Sequence, residues 1–178
     1  MEELIKKIIT GIGEDPKREG LKQTPERVVK MYKKIFSGYQ EKPENIMTVF
    51  DSEKYDEMIV CKNIEFYSMC EHHMLPFLGT VSIAYIPNKK IIGLSKLPRI
   101  VEIFSRRMQN QERMTNQIAA TIMKFLKPKG VGVVIKAQHL CMMMRGVEKK
   151  NAEMITSDLR GVFKKNLSTR NEFMNLIK

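Results

Sequence analysis

The chain has 178 residues, of which 43% are hydrophobic and 29% are charged, and its formal net charge at pH 7 is +11. The length suits a single domain, and the composition is typical of a globular protein, which excludes fibrous and disordered classes. No apolar run reaches the roughly 18 residues of a membrane helix, and the N-terminus lacks the features of a signal peptide. We therefore expect a cytoplasmic protein with no membrane partner.

Two helices are predicted at the start of the chain. Apolar residues recur at helical spacing in residues 1–13. A second helix begins at Thr24-Pro25, a capping residue followed by a proline that suits the first helical position, and it ends at Gly38. The polar stretch 39–56 is predicted to be a loop.

The rest of the chain alternates between pairs of strands and helices. β-prone or alternating residues predict strands at 58–69, 78–86, 131–141 and 153–163. Helices are predicted from Pro98 to Met108, at 112–126, and at 168–177 with Ser168 as the cap.

This order of elements predicts an α+β fold, in which N-terminal helices precede an antiparallel sheet with helices packed on one face. We expect one domain over residues 1–178. It would comprise a helical N-terminal part, residues 1–50, and a sheet-and-helix core, residues 51–178.

The cysteines and histidines are few and clustered. An odd number of cysteines argues against a disulfide framework and leaves metal binding, catalysis or plain burial. Each of the three histidines lies within three residues of Cys70 or Cys141, whereas Cys61 stands apart. The clustered histidines are His72, His73 and His139.

The clustered residues form two short metal-ligand patterns, C-x-x-H at Cys70–His73 and H-x-C at His139–Cys141. Thiolate and imidazole are ligands that zinc prefers. If 131–141 is one strand, His139 and Cys141 point to the same face of it. Because two such neighbours chelate one tetrahedral ion awkwardly, we predict Cys70, His73 and Cys141 as the ligands.

Two kinds of zinc site remain open at this point. A structural site would close with a fourth ligand, Cys61 or His139, whereas a catalytic site would keep that position for water. The three-ligand interpretation leaves His72 and His139 for proton transfer. Zinc lowers the pKa of a bound water to about 7, so this interpretation predicts a hydrolase.

The positive net charge favours an anionic partner, although each basic residue alone could be a solvated surface charge. Lys96 and Arg99 lie at a predicted helix start, where free N–H groups attract anions, and Arg145 follows the second metal pattern closely. Near a metal site these three residues would together suit a polyphosphate. Glu112, in the first turn of a helix, could complement the helix dipole or accept hydrogen bonds from a guanine edge.

Several motifs, in order and in register from about residue 14 to the C-terminus, resemble those of GTP cyclohydrolase I. They are Thr24-Pro25-x-Arg27-Val28, Cys70-Glu71-His72-His73, Ala84-Tyr85-Ile86-Pro87, Gly93-Leu94-Ser95-Lys96, Arg99-Ile100-Val101, Gln109-x-Gln111-Glu112-Arg113-Met114-Thr115, His139-x-Cys141, Arg145-Gly146 and Arg170-x-Glu172-Phe173.

The resemblance implies the tunnelling fold and a homodecamer of two face-to-face pentameric rings, with active sites at subunit interfaces. It implies a Zn²⁺-dependent hydrolase that converts GTP and water to formate and 7,8-dihydroneopterin triphosphate, the first step of tetrahydrofolate or pterin biosynthesis. Water would attack C8 of the guanine.

Carried over position by position, the resemblance also assigns roles to individual residues. Cys70, His73 and Cys141 would bind zinc, and His72 and His139 would move protons. Glu112 would anchor the guanine, with Gln111 nearby. The ribose and triphosphate would be held by Ser95, Lys96, Arg99 and Arg145, joined by Arg27 and Lys30 from a neighbouring subunit.

Two alternatives compete with this interpretation. One is a related tunnelling-fold enzyme that acts on another purine or pterin, or that stops after releasing formate. The other is a basic, zinc-stabilised nucleic-acid-binding module, which we rank low because the chain contains no Trp and interleaves few aromatic residues with its basic ones. No nucleic-acid partner is therefore expected.

Overall fold

The computed structural model describes all 178 residues of the chain. The helices are α1 Glu2–Gly11, α2 Thr24–Ile35, α3 Lys96–Ser105, α4 Gln111–Leu126, α5 Leu140–Met143, α6 Val162–Lys165 and α7 Leu167–Leu176. The strands are β1 Val49–Asp51, β2 Ile59–Cys70, β3 Pro76–Ile86, β4 Lys90–Ile92, β5 Met108–Gln109, β6 Gly130–His139 and β7 Met154–Gly161. None of the helices combines the length and the apolar character needed to cross a lipid bilayer.

The main sheet has five strands in the order β5-β2-β3-β6-β7. Strands β2, β3, β6 and β7 pair antiparallel, and the two-residue β5 joins the edge of β2 in parallel. This arrangement confirms the four predicted strands. β1 and β4 form a separate two-stranded sheet, so the predicted loop 39–56 contains one short strand that the sequence pattern did not show.

Helices α3 and α4 cover one face of the main sheet, as the alternating pattern of β6 predicts. Val131, Val133 and Ile135 are fully buried in the main core, together with the inward side chains of β2, β3 and the two helices. Side chains two positions apart on a strand share a face, so this alternation fixes which face of β6 meets the helices.

The opposite face of the sheet is covered at one end by the C-terminal helices. Phe163 and Phe173, both fully buried, pack edge to face with ring centroids 5.6 Å apart and rest against Ala84 and Val134. A Cβ on Gly132 would come within 2.7 Å of the Phe173 ring, so only glycine lets the aromatic ring approach the strand this closely. The predicted α+β fold class is confirmed, with this second small cluster as an addition to it.

The long strand predicted at 131–141 ends two residues early. β6 stops at His139, and Cys141 lies on the helical turn α5, so the expectation that both side chains share one strand face is wrong. His139 is paired with Phe77, and the next residue of β3 is Pro76, which has no N–H to extend the ladder. Cys141 therefore leaves the strand and can turn toward Cys70.

Two helix boundaries also differ from prediction. α3 begins at Lys96 with Pro98 inside its first turn, a position that a proline tolerates because its missing N–H would lack an intrahelical partner. Met108, expected at the end of this helix, lies on β5. The cap of α7 is Asn166, whose side chain accepts from the Thr169 N–H at 3.1 Å, and not Ser168.

Candidate functional site

The two cysteine–histidine patterns meet at one end of the main sheet. One ligand atom from each of Cys70, His73 and Cys141 can be chosen so that all three lie within 4.8 Å of one another. Cys70 is the last residue of β2, His73 lies in the turn that follows, and Cys141 comes from α5. These three residues could hold a metal ion.

The turn between β2 and β3 sets the spacing of the first pattern. The Cys70 N–H donates to Leu75 O and the Met74 N–H donates to Cys70 O, both at 2.9 Å. This tight turn places the His73 Nδ1 3.8 Å from the Cys70 Sγ. A three-residue spacing thus directs the imidazole and the thiol toward the same point.

The donor set fits zinc. Burial raises the pKa of the Cys141 thiol, and the neighbouring Cys70 raises it further. A cation bound between the two sulfur atoms would stabilise both as thiolates. Two sulfur donors and one imidazole are ligands that zinc prefers, and three ligands leave one tetrahedral position open. Cys61 lies nine positions back along β2, roughly 30 Å away, and does not join the group.

His139 is held beside this group by contacts on two sides. Its ring stacks on that of Phe77, with centroids 4.6 Å apart and planes inclined by 3°. Its Nε2 lies 2.9 Å from the side-chain oxygen of Gln111, at the start of α4. Burial lowers the pKa of His139, and the Glu112 carboxylate opposes part of this shift, so the fold favours the neutral ring.

Glu71 ties the metal-ligand turn to α4. Its carboxylate accepts hydrogen bonds from both terminal nitrogens of Arg113, at 2.5 and 2.6 Å, and from Asn110 Nδ2 at 3.2 Å. The hydrogen bond from Arg113 is the main cause of a pKa for Glu71 below its usual value. Asn110 also caps α4 by accepting from the Arg113 N–H at 2.8 Å.

Sequence reasoning assigned no function to Glu71, Asn110 or Arg113. A capping-type Asn directly before an amphipathic helix could have indicated the role of Asn110. The ion pair between Glu71 and Arg113 joins residues 42 positions apart, and no local pattern shows it.

A cleft of about 190 Å³ opens beside the metal-ligand group. It is lined by the three candidate ligands and by residues from β5, the start of α4 and the strand ends: His72, Gln109, Asn110, Gln111, Glu112, His139, Met142 and Met154. The side chain of His72 is 65% exposed, and Arg145 Nη1 lies 3.4 Å from His73 Nε2. The structure thus brings together seven of the predicted residues, with Arg145 beside them.

The other predicted substrate-binding residues lie elsewhere in the chain. The start of α3, with Ser95, Lys96 and Arg99, follows β4, whose Ile92 N–H donates to the Tyr85 hydroxyl. Tyr85 is eight positions along β3 from Phe77, roughly 26 Å from the metal end of the sheet. Within a single chain, Lys96 and Arg99 therefore do not lie beside Arg145 and the metal-ligand group.

Arg27 and Lys30 are likewise outside the cleft. Both are exposed on α2, and the Arg27 guanidinium donates to Gln23 at 2.8 Å. Gln111 does border the cleft, but its side chain is 2% exposed and its polar atoms are all engaged within the chain. Only its backbone is available to a ligand.

Comparison with known proteins identifies relatives along the whole chain. The family model of GTP cyclohydrolase I matches residues 1–178. "GTP cyclohydrolase 1" of Wolinella succinogenes is 58% identical, over 100% of this chain and 96% of the relative, and that of Leptospira biflexa is 56% identical, over 100% and 98%.

Among solved structures, the apo form of the archaeosine synthase QueF-Like superposes with a TM-score of 0.49 and 16% identity, over 58% of this chain and 93% of that chain. This likeness is too slight to bear on function. The match over the whole length and the identity of the relatives decide the matter: the chain belongs to the GTP cyclohydrolase I family.

Proposed function

We propose that this protein is a zinc-dependent hydrolase that converts GTP and water to formate and 7,8-dihydroneopterin triphosphate, the first step of tetrahydrofolate or pterin biosynthesis. The main support for this proposal is that one cleft is lined by a Cys-His-Cys group, two further histidines and an exposed carboxylate at the start of a helix. Relatives at 52–58% identity bear the name GTP cyclohydrolase 1.

Cys70, His73 and Cys141 would hold the zinc ion. Zinc bound there would supply the Lewis acidity that activates water at neutral pH. The chain's contribution at this point is to fix two thiols and an imidazole with the turn at Cys70 and with α5, and to place the open side of the group toward the cleft.

Glu112 would bind the guanine. Its carboxylate lies in the first turn of α4 and borders the cleft, and two carboxylate oxygens match the adjacent N–H groups of a guanine edge. The N–H groups of Gln111 and Glu112, at the first two positions of α4, have no intrahelical partners and can donate to further polar groups of the base, whereas the Arg113 N–H donates to the Asn110 cap. This pairing would orient C8 toward the metal-ligand group.

His72 and His139 would handle the protons. Loss of formate from C8 breaks two carbon–nitrogen bonds, and each departing nitrogen takes up a proton. Burial lowers the pKa of His139 and its contacts fix its ring, whereas His72 borders the cleft and is exposed to solvent. A buried and an exposed histidine beside one reacting carbon suit successive proton transfers.

We further propose that the site is completed by neighbouring chains in a homodecamer of two pentamers, with residues 1–178 acting as one catalytic domain. A cleft of about 190 Å³ is smaller than the roughly 300 Å³ at which small-molecule pockets begin. Ser95, Lys96 and Arg99, with Arg27 and Lys30, would reach the triphosphate from other copies, while Arg145 would approach it from the chain that supplies the metal ligands.

Incubation of the purified protein with GTP tests the reaction. We expect formate and a fluorescent pterin in equal amounts. Formate without the pterin would favour a cyclohydrolase that stops earlier, and neither product, together with salt-sensitive binding to nucleic acid, would favour the zinc-stabilised binding module.

Mixed oligomers test the shared site. Lys96→Ala and Cys141→Ala chains are each expected to be inactive alone. Co-assembled in equal amounts, they should recover about one quarter of wild-type turnover. A shared site is active only if one chain supplies an intact Lys96 and the other an intact Cys141, and each condition is met in about half of the cases. No recovery, with mixed oligomers demonstrated by mass, would show that each chain carries its own complete site.

A further inference from the structure

The side chain of Gln111 is the centre of a buried hydrogen-bond network that fixes the orientation of its amide. Its Nε2 lies 3.1 Å from Ile135 O, 3.0 Å from Met154 O and 3.1 Å from Thr156 Oγ1. Two of these partners are carbonyl oxygens, which can only accept. The atom facing them must therefore be the amide nitrogen, and the amide oxygen must face His139.

Two threonine hydroxyls extend the network. Thr115 Oγ1 lies 2.7 Å from the backbone oxygen of Gln111, a carbonyl that can only accept. Thr115 Oγ1 also lies 2.7 Å from Thr156 Oγ1, a contact in which either hydroxyl can donate. Thr156 in turn accepts from the Gln111 amide. The two amide protons of Gln111 are thus shared among three acceptors, and the two carbonyls among them are enough to fix the orientation of the amide.

The orientation of the Gln111 amide determines which nitrogen of His139 is protonated. The Gln111 oxygen has no proton to give, so the His139 Nε2, 2.9 Å away, must carry the hydrogen. The stacking on Phe77 holds the ring in this orientation, and Nδ1 has no hydrogen-bond partner in the chain. Turning the Gln111 amide over would place its oxygen against two carbonyls in a site that is 2% exposed, which is strongly unfavourable.

We infer that Gln111, fixed by the carbonyl oxygens of Ile135 and Met154, is a positioning residue that holds His139 in the Nε2–H tautomer and so makes Nδ1 the nitrogen through which His139 exchanges protons. The catalytic use of that nitrogen rests on the proposed function. A proton that His139 accepts from water at Nδ1 and returns to a departing ring nitrogen leaves the residue unchanged, while the Nε2–H keeps its hydrogen bond to Gln111 throughout. The family resemblance places Gln111 near the guanine without specifying its side chain, and the positioning role is that of the side chain.

The tautomer can be measured directly, because the chain has only three histidines. In zinc-loaded protein labelled with [¹⁵N]histidine, long-range ¹H–¹⁵N correlation distinguishes the two neutral tautomers, and the His139→Asn variant identifies the signal by its loss. We expect neutral His139 protonated at Nε2. A neutral ring protonated at Nδ1 would overturn the inference, and this measurement needs neither GTP turnover nor a variant of Gln111.

The Gln111→Met variant tests the positioning role, with Gln138→Met as a matched control. Gln138 is exposed, directly precedes His139 and makes no side-chain hydrogen bond. We expect Gln111→Met to lose the single tautomer and to lower kcat at least tenfold while KM for GTP stays within about twofold, and Gln138→Met to change neither. A raised KM with unchanged kcat and tautomer would show a substrate contact instead. If the wild type formed no product, the proposed function would fail while the tautomer would still decide this inference.

Discussion

Replacing Glu112 by Gln tests the recognition of guanine with the smallest change of shape. The substitution keeps the side-chain length, removes the charge and turns one acceptor oxygen into a donor that would face an N–H group of the base. A hydrogen bond to a charged group contributes about 1.5–3 kcal/mol. Because Glu112 is exposed and only the bound ligand would cover it, we take the lower part of that range, about 2 kcal/mol, or roughly thirtyfold in kcat/KM.

The assay is initial-rate formate release over a range of GTP concentrations, compared with Glu2→Gln. Glu2 is also an acidic residue in the first turn of a helix, α1, so both variants lose a similar interaction with the helix dipole, about 0.3–1 kcal/mol. Both should therefore show similar small changes in thermal stability, and only Glu112→Gln should lose activity. Equal kcat/KM in the two variants would refute guanine recognition by Glu112.

Further substitutions address the metal, the helix cap and the second core. Cys141→Ala should stay folded by circular dichroism, bind little zinc by metal analysis and release no formate; full zinc occupancy would remove Cys141 from the ligand set. Asn110→Ala should lose about 1 kcal/mol of unfolding free energy in urea, since it removes the cap of α4, and an unchanged midpoint would contradict that cap. Phe173→Ala, at a fully buried position, should lose about 3–5 kcal/mol while the protein still binds zinc; a loss below 1 kcal/mol would mean that α7 contributes little to the fold.

Local sequence patterns are sufficient to predict most of the sheet. The alternation in β6 is dictated by one buried face, so the sequence alone places Val131, Val133 and Ile135 against the helices. The end of β6 is predicted too late because it depends on Pro76 in another strand. A pattern within 131–141 contains no information about that partner.

In the candidate site too, local sequence patterns predict local contacts but not contacts between distant residues. Cys70 and His73 are joined by a local turn, and their spacing predicts a shared ligand. Thr156 reaches Gln111 across 45 positions, and neither residue type indicates the contact. The family resemblance grouped Lys96 with the metal site, but α3 begins far from the metal end of the sheet in the same chain, so the proposed role of Lys96 depends on a second copy.

Zinc dependence of GTP turnover is the most direct test of the account. The protein is stripped of metal with a chelator, dialysed, and titrated with zinc while formate release from GTP is measured. We expect no turnover without zinc, a linear recovery on addition of zinc, and saturation near one zinc per chain, because each chain has one group of Cys70, His73 and Cys141. Full turnover by protein shown to be free of metal would contradict it.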